Sequence, residues 1–297
     1  MVDQSQGRNH KAHKLVGIKT FFGIVLVMAA VLAFSGPAFA GLQKASSVDV
    51  ITNISYLEGK QFDKNKHVLD LYVPKGVENP PVMCFFHGGA WSVGDKADTS
   101  HIGSYFAEHG VMVVNINYRL SPDVMYPAFM EDAAQAVVWT MSNAGQYGGN
   151  TGALFLGGHS SGAHIAALLA TNERFLGEHN LSTSIISGVL AVSGAFKIEK
   201  GFYPRVFHDQ DDKRADASPV MHIDDKTPPF LILFGTLDMV DVIDQSKSMA
   251  KVLKEKKIKF RMVEVTERNH GNIALKIGES TDRTTKEMLR FLSKYSK

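Results

Sequence analysis

Cysteine is nearly absent. Cys84 stands alone in 297 residues, so no internal disulfide forms and no cysteine-rich zinc or iron-sulfur site is available. Cys84 lies inside the apolar run Val82-Met83-Cys84-Phe85-Phe86, where it reads as a small buried hydrophobe rather than a reactive thiol. An excess of one charge sign is missing too, since 32 basic residues face 30 acidic ones. Setting aside residues 1–40 leaves 28 basic and 29 acidic side chains, so the remainder is close to neutral. With no basic stripe interleaved with aromatics, nucleic acid is not expected as a partner. There is also no His-Glu-x-x-His or comparable ligand spacing among His101, His109, His164, His208 and His222, so metal binding is not expected.

The apolar core near the start, Phe21 to Phe34, has 14 residues before Ser35-Gly36-Pro37 interrupts it, against the roughly 18 to 20 that a membrane span needs. It follows the basic residues Arg8, Lys11, Lys14 and Lys19 and precedes Ala38-Phe39-Ala40, a small-residue cleavage pattern. Residues 1–40 are therefore expected to be a general secretory signal, cleaved after Ala40 or else kept as an N-terminal anchor. The protein is then periplasmic or extracellular, with no stable membrane insertion once the signal is removed.

What is present in residues 41–297 is one large α/β pattern without repeats or linkers. Eight apolar or β-branched runs read as strands, at 48–56, 67–73, 82–86, 111–118, 153–156, 188–192, 230–234 and 260–265. From the third onward they mostly alternate with helical patterns such as 129–141, 163–170, 242–254 and 284–294. Such alternation predicts a mostly parallel sheet with helices on both faces, and the first two strands, with no helix between them, predict an antiparallel edge.

Sites in such sheets form beyond the carboxyl ends of strands. One strand ends in Gly158-His159-Ser160-Ser161-Gly162 and runs into a helix-forming stretch. Glycines two places either side of Ser160 let strand and helix backbones approach while the serine sits on a strained turn. Another strand ends in His87-Gly88-Gly89-Ala90-Trp91, where Gly89 and Ala90 can turn their N–H groups toward an oxyanion and Ser161 N–H can join them. Trp91 either lines the acyl pocket or packs under the loop. His159 packs beside the nucleophile or lines the site, and both are candidates for substrate contact. The last two strands end near Asp238 and His270. Ser160, Asp238 and His270 thus occur in the order nucleophile, acid, base, with Asp241 and Asp244 as alternative acids. The segment from Phe196 to Ala217 is long enough to form a small lid or an ordinary surface excursion.

With these residues in place the sequence resembles the α/β-hydrolase superfamily, specifically its small serine esterases with a His-Gly-Gly-x-Trp loop. Asn117-Tyr118-Arg119-Leu120-Ser121-Pro122 with Asp132 downstream adds to the likeness. The resemblance implies an α/β-hydrolase fold with no large cap domain and serine hydrolysis without a metal or organic cofactor. It also implies that Tyr118-Arg119 and Asp132 form a structural rather than catalytic group. Ala90 stands where hormone-sensitive-lipase relatives have a third glycine, and His159-Ser160-Ser161 replaces their usual Asp-Ser-Ala. Both departures favour the feruloyl-esterase-like and formamidase branch. The expected activity is hydrolysis of small-molecule esters with short acyl groups through an acyl-enzyme. The competing expectations are an arylformamidase-type amide hydrolase and a non-catalytic binding protein on the same scaffold.

Overall fold

The computed structural model describes residues 41–59 and 63–296. The expected signal, residues 1–40, lies outside them. Eight strands form one sheet: β1 (Ser47–Ser55), β2 (Val68–Lys75), β3 (Pro81–Phe86), β4 (Met112–Ile116), β5 (Asn150–His159), β6 (Ile186–Val192), β7 (Phe230–Gly235) and β8 (Phe260–Val265). They lie in the order β1-β2-β4-β3-β5-β6-β7-β8. β1 and β2 are antiparallel to each other, β2 is antiparallel to β4, and every later pair is parallel. All eight expected strands are found, and the antiparallel edge lies where the missing crossover helix put it.

β3, β4 and β7 are buried at every position, which is why they read as unbroken apolar runs. β1 is mostly exposed and closes one edge. The helices in chain order are α1 (Ser100–Glu108), α2 (Ala128–Asn143), α3 (Ser161–Thr171), the short α4 (Glu173–Gly177) and α5 (Asp211–Asp216), α6 (Val240–Glu255), α7 (His270–Leu275) and α8 (Arg283–Tyr295).

Alternate side chains of the strands feed two cores. Leu69, Val82, Cys84, Val114 and Leu156 pack with residues of α2, α3 and α6, while Met83, Phe85, Val113, Phe155 and Leu231 pack with residues of α1 and α8. The sheet is thus covered on both faces, and its carboxyl ends open between the layers. Cys84 is fully buried with its Sγ against Thr140, and burial pushes its thiol up to about 12, so it is inert at neutral pH. Among the described residues no helix is long and apolar enough to cross a membrane.

Arg119 reaches Asp132 through Nε and Nη2, its N–H donates to the same carboxylate at 2.9 Å, and His67 Nε2 approaches it at 3.1 Å from the start of β2. Burial by itself raises the Asp132 pKa, but these donors outweigh it and hold the carboxyl below its ordinary value. This cluster ties β2, the loop after β4 and α2 together.

Candidate active site

β5 runs straight into α3 through Ser160, whose φ of 55° and ψ of −119° lie outside the common regions for a non-glycine residue. The flanking glycines explain how the turn closes. A Cβ on Gly162 would lie 2.0 Å from the Phe86 carbonyl oxygen, and one on Gly158 would lie 2.3 Å from the Gly162 carbonyl carbon. The strained turn lifts Ser160 out of the sheet, and its N–H is fastened to the Val192 carbonyl at 2.9 Å.

Two other strand ends converge on it. Asp238 follows β7 and His270 opens α7 after β8. His270 Nδ1–H donates to Asp238 Oδ1 at 2.8 Å, and the Ser160 hydroxyl donates to His270 Nε2 at 2.9 Å. Asp238 also accepts the Met239 N–H at 2.8 Å on Oδ1 and the Ser193 hydroxyl at 2.5 Å on Oδ2. Burial pushes the Asp238 pKa up, yet the bonds from His270, Ser193 and Met239 outweigh it and leave the carboxyl below its ordinary value. Asp238 is therefore an anion at neutral pH. Asp241 and Asp244 lie instead in α6, bordering a cleft of about 520 Å³ with Lys197, Gln245 and Lys251.

The loop after β3 lies beside the same turn, where a Cβ on Gly88 would stand 3.4 Å from the Ser160 Cβ. Gly89, Ala90 and Trp91 all have positive φ, at 129°, 52° and 55°. The Gly89 carbonyl is turned back onto the N–H groups of Ser92 and Val93 at 3.0 Å, and among the described residues no protein atom accepts from the N–H of Gly89 or Ala90. Ser161 N–H is in the first turn of α3, where helix geometry supplies no partner. Tyr118 braces this loop from below. Its hydroxyl donates to the His87 carbonyl at 2.8 Å, and its ring stacks on His87 with centroids 4.5 Å apart.

Trp91 and His159 stand differently from the expectation that they touch substrate. Trp91 is 2% exposed and packs edge-on against His164, Phe202, Tyr203 and Phe207, so it offers a ligand almost no surface. Of the two alternatives open for Trp91, packing under the loop is the one found. His159 Nε2–H donates to the His270 carbonyl at 2.8 Å, and its Nδ1 faces Gly88. Burial, with the neighbouring His270, pushes the His159 pKa down to about 4, so the ring is neutral and holds the His270 backbone. His164 is fully buried, with Nε2 donating to the Ala217 carbonyl at 2.8 Å.

The segment from Phe196 to Ala217 is a pinned wall. Phe202, Tyr203 and Phe207 pack on Trp91, Gln245 accepts the Phe196 and Lys197 N–H groups, and the Val206 carbonyl accepts the Tyr126 N–H at 2.9 Å. Ser193, which touches Asp238, escaped the sequence reading. Its one visible signal is that it directly follows the sixth apolar run, at a strand's carboxyl end.

A family model, BD-FAE, matches residues 69–253, more than half of the chain. The chain belongs to the BD-FAE family. This BD-FAE protein is 29% identical over 238 residues to a probable isoprenylcysteine alpha-carbonyl methylesterase of Arabidopsis thaliana, covering 72% of this chain and 50% of the relative. It is also 29% identical over 193 residues to the esterase LipQ of Mycobacterium tuberculosis, covering 59% and 46% of the two chains. It thus spans about half the length of these relatives. Among solved structures, a truncated carbohydrate esterase from gut microbiota has a TM-score of 0.73 at 22% identity, covering 88% of this chain and 99% of its own. An esterase of Pyrobaculum calidifontis has a TM-score of 0.66 at 21% identity, with 84% of each chain covered. These likenesses identify the BD-FAE protein's architecture as the α/β-hydrolase fold.

Proposed function

We propose that this protein is a serine carboxylesterase acting through an acyl-enzyme, with Ser160 as nucleophile, His270 as general base and acid, and Asp238 as the orienting acid. The observation that carries the reading is the unbroken chain from Ser160 Oγ to His270 Nε2 at 2.9 Å and from Nδ1 to Asp238 Oδ1 at 2.8 Å. Similarity to proteins named methylesterase and esterase supports it.

In this mechanism Ser160 Oγ attacks the ester carbonyl as its proton passes to His270 Nε2, and ionised Asp238 stabilises the imidazolium. The oxyanion is received by the N–H groups of Gly89, Ala90 and Ser161, each donor being worth about 3 kcal/mol of barrier. His270 then gives the proton to the leaving alkoxide, and the C–O bond to the alcohol breaks. Water repeats the sequence on the acyl-enzyme, with His270 taking its proton and returning it to Ser160, to release the acid. No step calls for a metal or organic cofactor.

Short acyl groups are the proposed substrates, because Phe202 and Tyr203, seated on the buried Trp91 that ends the oxyanion loop, form an aromatic wall beside it. Each methylene that fits contributes up to about 0.8 kcal/mol, and one that meets the wall costs packing instead. Export by the segment 1–40 is part of the proposal and rests on its composition alone.

The test is a series of p-nitrophenyl esters from acetyl to palmitoyl, with wild type and Ser160→Ala side by side. Wild type is expected to show kcat/KM peaking between acetyl and butyryl, and Ser160→Ala to show no hydrolysis above background. A steady rise through palmitoyl would contradict the short pocket, and an active Ser160→Ala would contradict the nucleophile. N-formylkynurenine in the same series tests amide hydrolysis.

A further inference from the structure

The carboxyl end of β6 touches both halves of the site. Val192, its last residue, lies opposite His159 of β5 on one side and Leu233 of β7 on the other. The Val192 carbonyl accepts the Ser160 N–H. The next residue, Ser193, donates its N–H to the Leu233 carbonyl at 2.7 Å and its hydroxyl to Asp238 Oδ2 at 2.5 Å. One strand end therefore carries the nucleophile's backbone and the acid's side chain.

We propose that Ser193 is a positioning residue for the reaction, its hydroxyl holding the Asp238 carboxylate turned toward His270. This rests on the reading of Ser160, His270 and Asp238 given above. Oδ1 of Asp238 is occupied by His270 and Met239, which leaves Oδ2 to be satisfied elsewhere. Beyond Ser193, the donor near Oδ2 among the described residues is Gly235 N–H at 3.5 Å, at the limit of a hydrogen bond. The contact from Ser193 is at the short end for a hydroxyl on a carboxylate, as a charge-assisted bond should be.

The backbone adds an independent observation. Ser193 has φ of 52°, a conformation that glycine adopts freely and serine does not, so the side chain stands there against the local preference. Ser193 is 1% exposed, so its hydroxyl serves no solvent role.

Without that hydroxyl, Oδ2 is a buried anionic oxygen with no short donor, and burial favours the protonated carboxyl. The titratable groups that face Asp238 are His270 at the start of α7 and His159 at the end of β5, and both direct their donors elsewhere than Oδ2. A protonated or rotated Asp238 neither orients His270 nor stabilises its imidazolium. The loss falls on turnover and not on substrate binding.

Ser193→Gly is the deciding variant, because glycine suits the positive φ and the loss is confined to one CH2OH group. With p-nitrophenyl acetate, kcat is expected to fall roughly ten- to hundredfold. KM should change by less than about threefold. Activity at the acid end of the kcat/KM profile should disappear at a higher pH than in wild type, since the Asp238 carboxyl protonates more readily. Ser193→Cys, with a weaker donor of similar size, should recover part of kcat. Circular dichroism establishes that both variants are folded. A purely structural role would leave kcat per folded molecule and the pH profile unchanged in Ser193→Gly, and that result overturns the proposal. Failure of the underlying reading looks different, because wild type would then be no more active than Ser160→Ala, and both inferences fall together.

Discussion

At the scale of single residues, the turn around Ser160 is a steric bargain between side chains that are absent and one that is exposed. Gly162 lies so close to the Phe86 carbonyl that even a methyl group has no room, and the atom it would strike is backbone, not a flexible side chain. Gly162→Ala should therefore push α3 away from the end of β3 and separate Ser160 from the loop after β3. The expected cost is about 1–3 kcal/mol of stability. A loss of kcat should accompany it. Urea unfolding with parallel p-nitrophenyl acetate kinetics measures both, and a variant with wild-type midpoint and wild-type kcat would show that the close approach is not needed. This turn was legible because glycine spacing is written directly in the chain, at Gly158 and Gly162. The burial of Trp91 was not, since a tryptophan after two glycines fits a pocket wall and a core equally well until Phe202, Tyr203 and Phe207 are folded over it. Ser193 was hidden for a similar reason, because neither a positive φ at serine nor a contact across 45 residues leaves a local mark.

At the scale of elements, the cluster of His67, Arg119 and Asp132 joins β2, the loop after β4 and α2. Asp132→Asn keeps the shape and removes the charge, so Arg119 loses its bidentate partner and His67 its carboxylate. The expected destabilisation is about 2–3 kcal/mol, below the cost of breaking a fully buried pair. The reason is that the Arg119 side chain remains 27% exposed to water. The sign with pH follows from the lowered pKa of Asp132. Its contribution is complete above the ordinary carboxyl value of 3.8 and is lost as pH falls below that through the lower folded-state value. The stability gap between wild type and Asp132→Asn should therefore be constant near neutrality and close in acid, as read by denaturant midpoints at pH 7 and pH 3. A gap that widened in acid would contradict this role.

The strands were readable because buried parallel strands are short apolar runs, as in Phe230 to Phe234. α1 was not among the helical patterns singled out, and it carries Gly103, a poor helix former, in its middle. In the fold Gly103 lies where a Cβ would strike the Tyr72 ring, so the helix needs a glycine there to approach the sheet. The exchange that places β4 between β2 and β3 is a matter of pairing between distant runs, which local periodicity does not encode.

At the scale of the whole molecule, the sheet brings together three residues separated by 78 and 32 positions in the chain, each at the carboxyl end of a different strand. Their chain order pointed to this arrangement before any geometry, and the hydrogen-bonded distances add what order alone lacks. The central claim is that Ser160 is a nucleophile activated by His270. The most direct measurement is covalent labelling of the folded protein with a fluorophosphonate, followed by mass spectrometry of the peptides. The account predicts one adduct, on the peptide carrying Ser160, and strongly slowed labelling in His270→Ala. No adduct on wild type, or an adduct on another residue at equal rate in Ser160→Ala, would contradict it and favour a binding protein on a hydrolase scaffold.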